Sequence, residues 1–421
     1  MEQTAGTPLS SSDWRENARV TADLGVLFRR ANRRRQWRAA SLIAPPIVFV
    51  FLTFVMPIGV FLFRAVDNRA IAHMLPRTIE TLSDWNGKEA PEESAFAALA
   101  EDLRQDKDNR TLGILSSNLG QKFQGLRPMV MQLANLTAPP GGVKAAAIAA
   151  NPHWNEPAVW SVIARQRSTL TPQFLLMSVD LTQDWTGRIV AVAPSQALFV
   201  EVILRSVWIA LVVTVLTLLV GFPVAYLMAG VSRHRANLLL ILVLLPFWTS
   251  LLVRTMAWMI LLDDRGVINN VLVWAHAIDA PLHLMTNRLG VYIGMVYVFL
   301  PFIVLPLYAT MLGVPRESMR AAASLGANRI QAFRHVFLPQ VVPGTVAGAV
   351  TVGVLSVGYY ITPLLLGGPH EQMLSYFVAF FINGTLNWNM AAALAMLLLV
   401  LVVASLSVVI WAVGLKRLNW T

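Results

Sequence analysis

The chain has 421 residues, of which 56% are hydrophobic and only 13% are charged. Soluble domains carry about 25% charged residues, so this composition is that of a membrane protein. The absence of cysteine excludes disulfides, a thiol nucleophile and cysteine metal sites, and the net charge of +10 fits arginines held in cytoplasmic loops better than a nucleic-acid surface.

Residues 1–38 form a polar tail in which Arg29, Arg30, Arg33, Arg34, Arg35 and Arg38 lead into the first apolar run. The cluster reads as a topology signal, with anionic lipid head groups as an alternative partner. The run that follows exceeds the ~7–15-residue core of a signal peptide. At ~1.5 Å per residue it crosses a ~30 Å hydrocarbon core, which predicts a first membrane helix within 39–65, leaving the cytoplasm.

Residues 66–197 differ in character. The stretch from Arg64 to Ala197 holds thirteen of the 23 acidic residues and an equal number of bases. Pro91 to Leu103 opens with proline and acids, then repeats apolar residues at helical spacing, so an amphipathic helix is expected. Trp154, Trp160 and Trp185 are expected in a core. The segment reads as a folded, largely helical insert between the first and second spans, on the outer face by the positive-inside rule. Packing or docking is its simplest role, and a ligand site is the alternative.

The core, 198–415, carries five further apolar runs. The second span is expected near 202–229 and the third near 238–262. The third contains Arg254, which sixteen helical steps place about 24 Å across the membrane, within snorkelling reach of the outer edge. Asp263 and Asp264 follow, and either is a candidate partner. An anchoring pair and a substrate contact are both open for Arg254. The fourth span is expected at 289–312, with Gly290 and Gly294 spaced for close helix approach. The fifth is expected at 341–366, with Gly344, Gly348, Gly353 and Gly358 on it. Asn383, Gly384, Asn387 and Asn389 divide the last uncharged stretch into a loop or partly inserted piece and a sixth span at 391–413. Lys416 and Arg417 end the chain inside, which leaves both termini cytoplasmic.

Residues 313–340 are polar and basic between two apolar spans. Pro315 suits a helix start, and Glu317 lies near the positive end of that helix. Gly326 is a natural C-terminal cap, because that position needs φ > 0. Asn328 and Gln331 have capping-box spacing for a second helix. Pro339 and Pro343 are expected to mark a bend.

The order Ala321-Ala322, Gly326 and, after nine intervening residues, Val336-x-Leu338-Pro339 resembles the EAA loop of ABC-importer permeases. Arg320 stands where that motif has Glu. Pro246-Phe-Trp-Thr-Ser-Leu-Leu-Val-Arg254-Thr, Asp264-Arg-Gly-Val-Ile-Asn269 and Tyr360-Ile-Thr-Pro-Leu-Leu-Leu-Gly-Gly-Pro369 are similar to the spermidine/putrescine branch. The resemblance implies an all-α integral membrane protein with six transmembrane helices around a MetI-like core. It also implies a multi-pass inner-membrane location and four kinds of partner: a cytoplasmic ABC ATPase dimer, a second permease subunit, a periplasmic substrate-binding protein and the lipid bilayer. Glu317, Arg320, Ala321, Ala322, Leu325, Gly326, Leu338 and Pro339 would form the coupling loop. Trp248, Arg254, Trp258, Tyr359 and Tyr360 are candidates for the substrate path. The implied solute is a polyamine, with an opine, an amino acid or another small organic solute as alternatives.

No GxxxxGK[ST] phosphate loop, HExxH or GxSxG occurs, so neither an ATPase site nor another catalytic set is expected in this chain. The seven histidines are scattered, and no metal or cofactor is expected. A stand-alone secondary transporter is the less favoured alternative, since no internal repeat is evident.

The cysteine-free background offers a direct test of orientation. Ser94→Cys should react with an impermeant thiol reagent added outside intact cells, and Ser324→Cys should react only after the membrane is opened. The reverse pattern would invert the topology.

Overall fold

The computed structural model describes residues 41–123, 125–136, 142–184 and 187–413. The arginine cluster ending at Arg38, Trp185 and the terminal Lys416 and Arg417 lie outside these residues. The chain divides into two units, Met1–Phe61 and Leu62–Thr421. The described part of the first is helix α1 (Ser41–Phe63) up to Phe61, and this helix is apolar and long enough to cross a bilayer. One π-helical stretch, Phe51–Val55, interrupts its regular pitch.

The second unit begins with the insert. Its helices are α2 (Arg69–Met74), α3 (Pro76–Thr81), α4 (Glu93–Asp108), α5 (Leu112–Lys122), α6 (Leu126–Leu133), α7 (Val143–Ala150), α8 (Pro157–Ala164) and α9 (Gln173–Met177). Helix α4 is the amphipathic element that the sequence predicts. Phe96, Leu99 and Leu103 fall on one face and are fully buried. They pack against Trp154 and Trp160, with the Phe96 ring 4.5 Å from that of Trp160. The buried Trp160 indole N–H donates to the Trp154 carbonyl at 2.9 Å, so its one polar atom is satisfied. Asp102 on the same helix accepts from the backbone N–H and the hydroxyl of Thr78, at 2.9 and 2.7 Å, which ties α3 to α4. The insert closes with an antiparallel hairpin, β1 (Leu181–Gln183) and β2 (Ile189–Ala191), with Thr182 opposite Val190.

The membrane bundle is organised around three long helices, α10 (Phe199–Gly230), α14 (Arg288–Leu312) and α16 (Arg329–Gly358). Ile209, Val213, Val291, Met295, Ile303, Val341 and Val352 form their common core. Helices α14 and α16 pack antiparallel at close range. A Cβ on Gly344 would collide with the Thr310 hydroxyl and come within 2.7 Å of the Pro306 carbonyl, and one on Gly348 would stand 3.2 Å from the Ile303 Cα. Small residues therefore let the two backbones meet. Gly290 and Gly294 similarly admit the Leu284 carbonyl and the Leu366 side chain. Gly353 and Gly358 have no such close neighbour, so the packing role stops at Gly348.

The third span departs from the straight helix expected over 238–262. It consists of α11 (Arg233–Leu244), a 3₁₀ turn (Leu245–Trp248) and α12 (Leu251–Leu262), continuing into α13 (Val267–Trp274). The two arms meet at 102°. Pro246 lacks an N–H, and the chain leaves helical geometry at Thr249 and Ser250. The depth counted for Arg254 along one continuous helix therefore does not apply. Among the described residues five helices are long and apolar enough to span a membrane, and six spans result if the bent pair is one of them.

After α15 (Arg316–Ser324), the fifth span also differs from expectation. It starts at Arg329 rather than Val341 and ends at Gly358 rather than Leu366. Pro339 and Pro343 lie within it. A π-helical turn at Phe333–Phe337 precedes Pro339, and a widened turn relieves the clash of the proline ring with the preceding carbonyls. After a break at Tyr359 and Tyr360 come α17 (Ile361–Leu366), α18 (Leu374–Asn383) and α19 (Trp388–Val413). The division between the last two falls at the glycine and asparagines that the sequence singles out.

Side chains tie the insert to the bundle. Asp180 carries positive φ, and its carboxylate accepts the backbone N–H groups of Leu198, Phe199 and Val200 at 3.0, 2.9 and 2.7 Å. A distant residue thus caps the positive end of α10. Asn389 donates to the Asp67 carbonyl at 2.7 Å. Asp180→Ala should leave three first-turn N–H groups without this acceptor and lower stability by about 1–2 kcal/mol. Asp180→Asn should retain part of the cap and tolerate the positive φ. Thermal unfolding of the purified protein in detergent checks the order parent, Asn, Ala.

Candidate functional site

Two features of the second unit carry the candidate function: the connection between α14 and α16, and the pair of helix breaks inside the bundle.

The connection is a helix, a glycine turn and a second helix. Pro315 occupies the N-cap of α15 rather than its first turn. At the other end Gly326 has φ +86°. The Gly326 N–H bonds to the Ala323 carbonyl at 3.0 Å and the Ala327 N–H to the Ala322 carbonyl at 3.0 Å, the paired bonds of a Schellman cap. Asn328 and Gln331 then exchange side-chain and backbone bonds at 3.0 and 2.8 Å, a complete capping box for α16. The turn between the helices is thus specified from both sides by local hydrogen bonds.

This connection has an inner and an outer face. Met319 packs on the bundle core, and Ala322 and Ala332 are buried. Glu317, Arg320, Ala321 and Gly326 are exposed. Leu325 is 89% and Ile330 77% exposed, although both are large apolar residues. Arg316, Arg320, Arg329 and Arg334 surround them in exposed positions. Arg320 enters no ion pair among the described residues. The arrangement presents a rigid apolar tip with a cationic rim. His335 is exposed, and its ring nitrogen lies 3.1 Å from the Gln331 carbonyl. Leu338 and Pro339 are exposed residues of the α16 helix itself.

The helix breaks lie in the two chains of residues that the sequence proposes for a path. The first, at Thr249 and Ser250, precedes α12; the second, at Tyr359 and Tyr360, precedes α17. The two short helices after the breaks meet through Leu262 and Leu366, with Trp258 against that cluster. Non-helical backbone at membrane depth persists only where protein buries it or a water-filled cavity solvates it, and broken helices of this kind border solute sites in transporters.

The five candidate path residues are brought together only in part. Arg254 donates to the Thr249 carbonyl at 3.0 Å, so it closes the first break. Its Nε is buried and has no partner among the described residues. The Tyr359 ring packs 5.2 Å from Phe299, and the Thr362 hydroxyl lies 3.3 Å from the Tyr359 hydroxyl. Trp258 packs edge-on to Tyr297 at 5.3 Å. Trp248, by contrast, is 72% exposed, and no side-chain contact connects Tyr360 to the others. Neither Asp263 nor Asp264 pairs with Arg254. Asp264 lies 2.8 Å from His283, and Asp263 accepts the Arg265 N–H at 3.0 Å. Helix α12 points Arg254 back to its own N-terminal break, while both acids lie beyond its other end.

Phe299, Tyr297 and Thr362 are neighbours that sequence reasoning missed. Two prolines, Pro246 and Pro363, were the available signal for the breaks, but the facing aromatic residues come from α14, a separate span with no local mark.

Residues 221–418 match the family of binding-protein-dependent transport system inner membrane components. The spermidine/putrescine transport system permease protein PotB of Escherichia coli K12 is 32% identical over 214 residues, covering 51% of this chain and 78% of the relative. PotB of Haemophilus influenzae is 33% identical over 204 residues, covering 48% and 71%. The inner membrane ABC transporter permease protein YdcU of E. coli K12 is 32% identical over 227 residues, covering 50% and 70%. The insert lies outside the matched segment 221–418. Five or six apolar spans among the described residues, a capped helix–glycine–helix connection and relatives aligned over most of their length lead to one assignment: the chain belongs to the binding-protein-dependent transport system inner membrane components, the permease subunits of ABC importers.

Proposed function

We propose that this permease carries a polyamine of the spermidine/putrescine class inward across the bacterial inner membrane, driven by an ATPase dimer that docks on the 313–340 loop. A second permease subunit completes the path, and a periplasmic binding protein delivers the solute. Both termini are cytoplasmic and the insert is periplasmic. The names of the relatives support the solute class. The observation that carries the coupling role is the exposed Leu325 beside a Gly326 turn held rigid on both sides.

An exposed leucine and isoleucine on a fixed turn call for an apolar cleft in a partner, and the arginines around them call for an acidic rim. The turn's double cap lets force on the tip pass into α16 without bending the connection. The solute would pass beside the breaks at Thr249–Ser250 and Tyr359–Tyr360, where Tyr359 and Trp258 offer aromatic faces to an ammonium group. Arg254 supports a second reading, a small organic solute such as an amino acid or opine. A guanidinium with a buried free N–H suits a carboxylate and repels a simple polycation.

Alone in liposomes, the chain should hydrolyse no ATP and accumulate no solute, as it has no phosphate loop. In the assembled transporter, putrescine should compete for uptake if the first reading holds, and only carboxylate-bearing solutes should compete under the second. Leu325→Asp puts a charge where the partner is apolar, at a cost of several kcal/mol of docking energy. In Gly326→Val the Cβ meets nothing within 4 Å, but the positive φ strains the backbone by about 1–2 kcal/mol. Both variants should reach the membrane at parental abundance, lose ATPase co-purification or its coupling, and fall in uptake at least tenfold. Parental uptake in both would remove the coupling role from this loop.

A further inference from the structure

The insert contains a cavity of about 190 Å³, away from both features above and outside the family match. Lys122, the last residue of α5, and Arg165, at the end of α8, both line it. Two cations side by side in a partly closed space repel each other and lose hydration, so a compensating anion is expected close by. Among the described residues Lys122 has none. Its ammonium donates to Gln166 Oε1 at 2.5 Å and Asn68 Oδ1 at 3.3 Å, and sits 5.8 Å from the Phe174 ring. All three are neutral. Asp67, next to Asn68, is engaged by Arg69 at 3.5 Å.

Arg165 is held by main-chain acceptors, with Nε to the Ser161 carbonyl at 3.2 Å and Nη2 to the Asp184 carbonyl at 2.7 Å. Asp184 is the one acid acting on it electrostatically, and no salt bridge forms to either cation among the described residues. Gln166 and Gln173, both buried, face the same cavity, as do the apolar Val162, Leu170 and Pro172. The Gln173 amide has no side-chain partner among the described residues.

We propose that this cavity binds a small solute with one carboxylate and a short apolar body, the carboxylate neutralising Lys122 and Arg165 and the body lying against Val162, Leu170 and Pro172. The guanidinium fork and an amide donor match a planar carboxylate, and the apolar wall has no use for bare phosphate or chloride.

Burial, followed by the charge of Arg165, pushes the Lys122 ammonium down to about 7. An empty site is therefore about half protonated near neutrality. A bound carboxylate favours the ammonium, so binding takes up a proton and weakens as pH rises through 7.

Butyrate is the probe, added to the purified full-length protein in detergent at pH 6 and pH 8.5, with chloride and phosphate as controls at matched ionic strength. Thermal unfolding should shift upward with butyrate at pH 6, at least tenfold higher butyrate should be needed at pH 8.5, and neither control should reproduce the shift. Lys122→Met removes a buried charge without removing bulk, so it should fold, and it should lose both the butyrate response and its pH dependence. Arg165→Gln should weaken the response at least tenfold. No butyrate shift at either pH, an equal shift with phosphate or chloride, or an undiminished response in Lys122→Met would each overturn the site.

Discussion

Inside a bilayer every backbone N–H and C=O must find a partner within the protein, because the hydrocarbon offers none. That constraint shapes the whole second unit. It explains why α10, α14 and α16 stay helical despite Pro223, Pro301, Pro306, Pro339 and Pro343 within them, α16 with one π-turn before Pro339. It also makes the two interruptions at Thr249–Ser250 and Tyr359–Tyr360 informative. Each has a local remedy: Arg254 takes up the Thr249 carbonyl, and the Ser375 hydroxyl takes up that of Tyr359 at 3.0 Å. Irregular backbone that is repaired in this way is held in the fold at a cost, and a transport path is the function that makes use of it.

The ends of the bundle show a second pattern. At the insert end, polar side chains reach across the chain to satisfy helix termini. Asp180 caps α10, and Arg288 pairs with Glu371 at 2.8 Å. The Ser206 hydroxyl accepts the first N–H of α18, from Leu374, at 2.8 Å. These bonds join segments far apart in sequence, so the insert and the spans it contacts are expected to move together. At the opposite end the caps are local, within 322–331, and the connection is rigid by itself while its apolar tip points away from the protein. One end is built for integration and the other for an outside partner.

The insert obeys different rules from the bundle. Its core is that of a water-soluble domain, with Phe96, Trp154 and Trp160 interlocked and the Trp160 indole N–H tied down. The bundle core mixes aliphatic residues with Phe299 and Phe337, and its glycines bring backbones together, since apolar side chains gain little by leaving lipid. A soluble-type core can hold a small polar cavity with fixed donors, which is the setting of Lys122 and Arg165.

How much was legible in the sequence depends on the range of the interaction. The apolar runs, the amphipathic helix that buries Phe96 and Leu99, and the double cap around Gly326 were all readable, because each rests on periodicity or on bonds between residues at most five apart. The loop motif with Arg320 in place of Glu was readable for the same reason. The straight third span was misread: hydropathy measures greasiness, and a broken helix is as greasy as a straight one. The start of the fifth span was displaced because a π-turn before Pro339 carries the helix through the prolines that were expected to mark a bend. The pairing of Asp263 or Asp264 with Arg254 failed because the direction of a side chain is set by the helix that carries it. What only the tertiary structure decided were the contacts between distant segments: Asp180 on α10, Ser375 on the Tyr359 carbonyl, and Lys122 and Arg165 at one cavity. Sequence spacing carries no record of such contacts, since they exist only once packing has closed the distance.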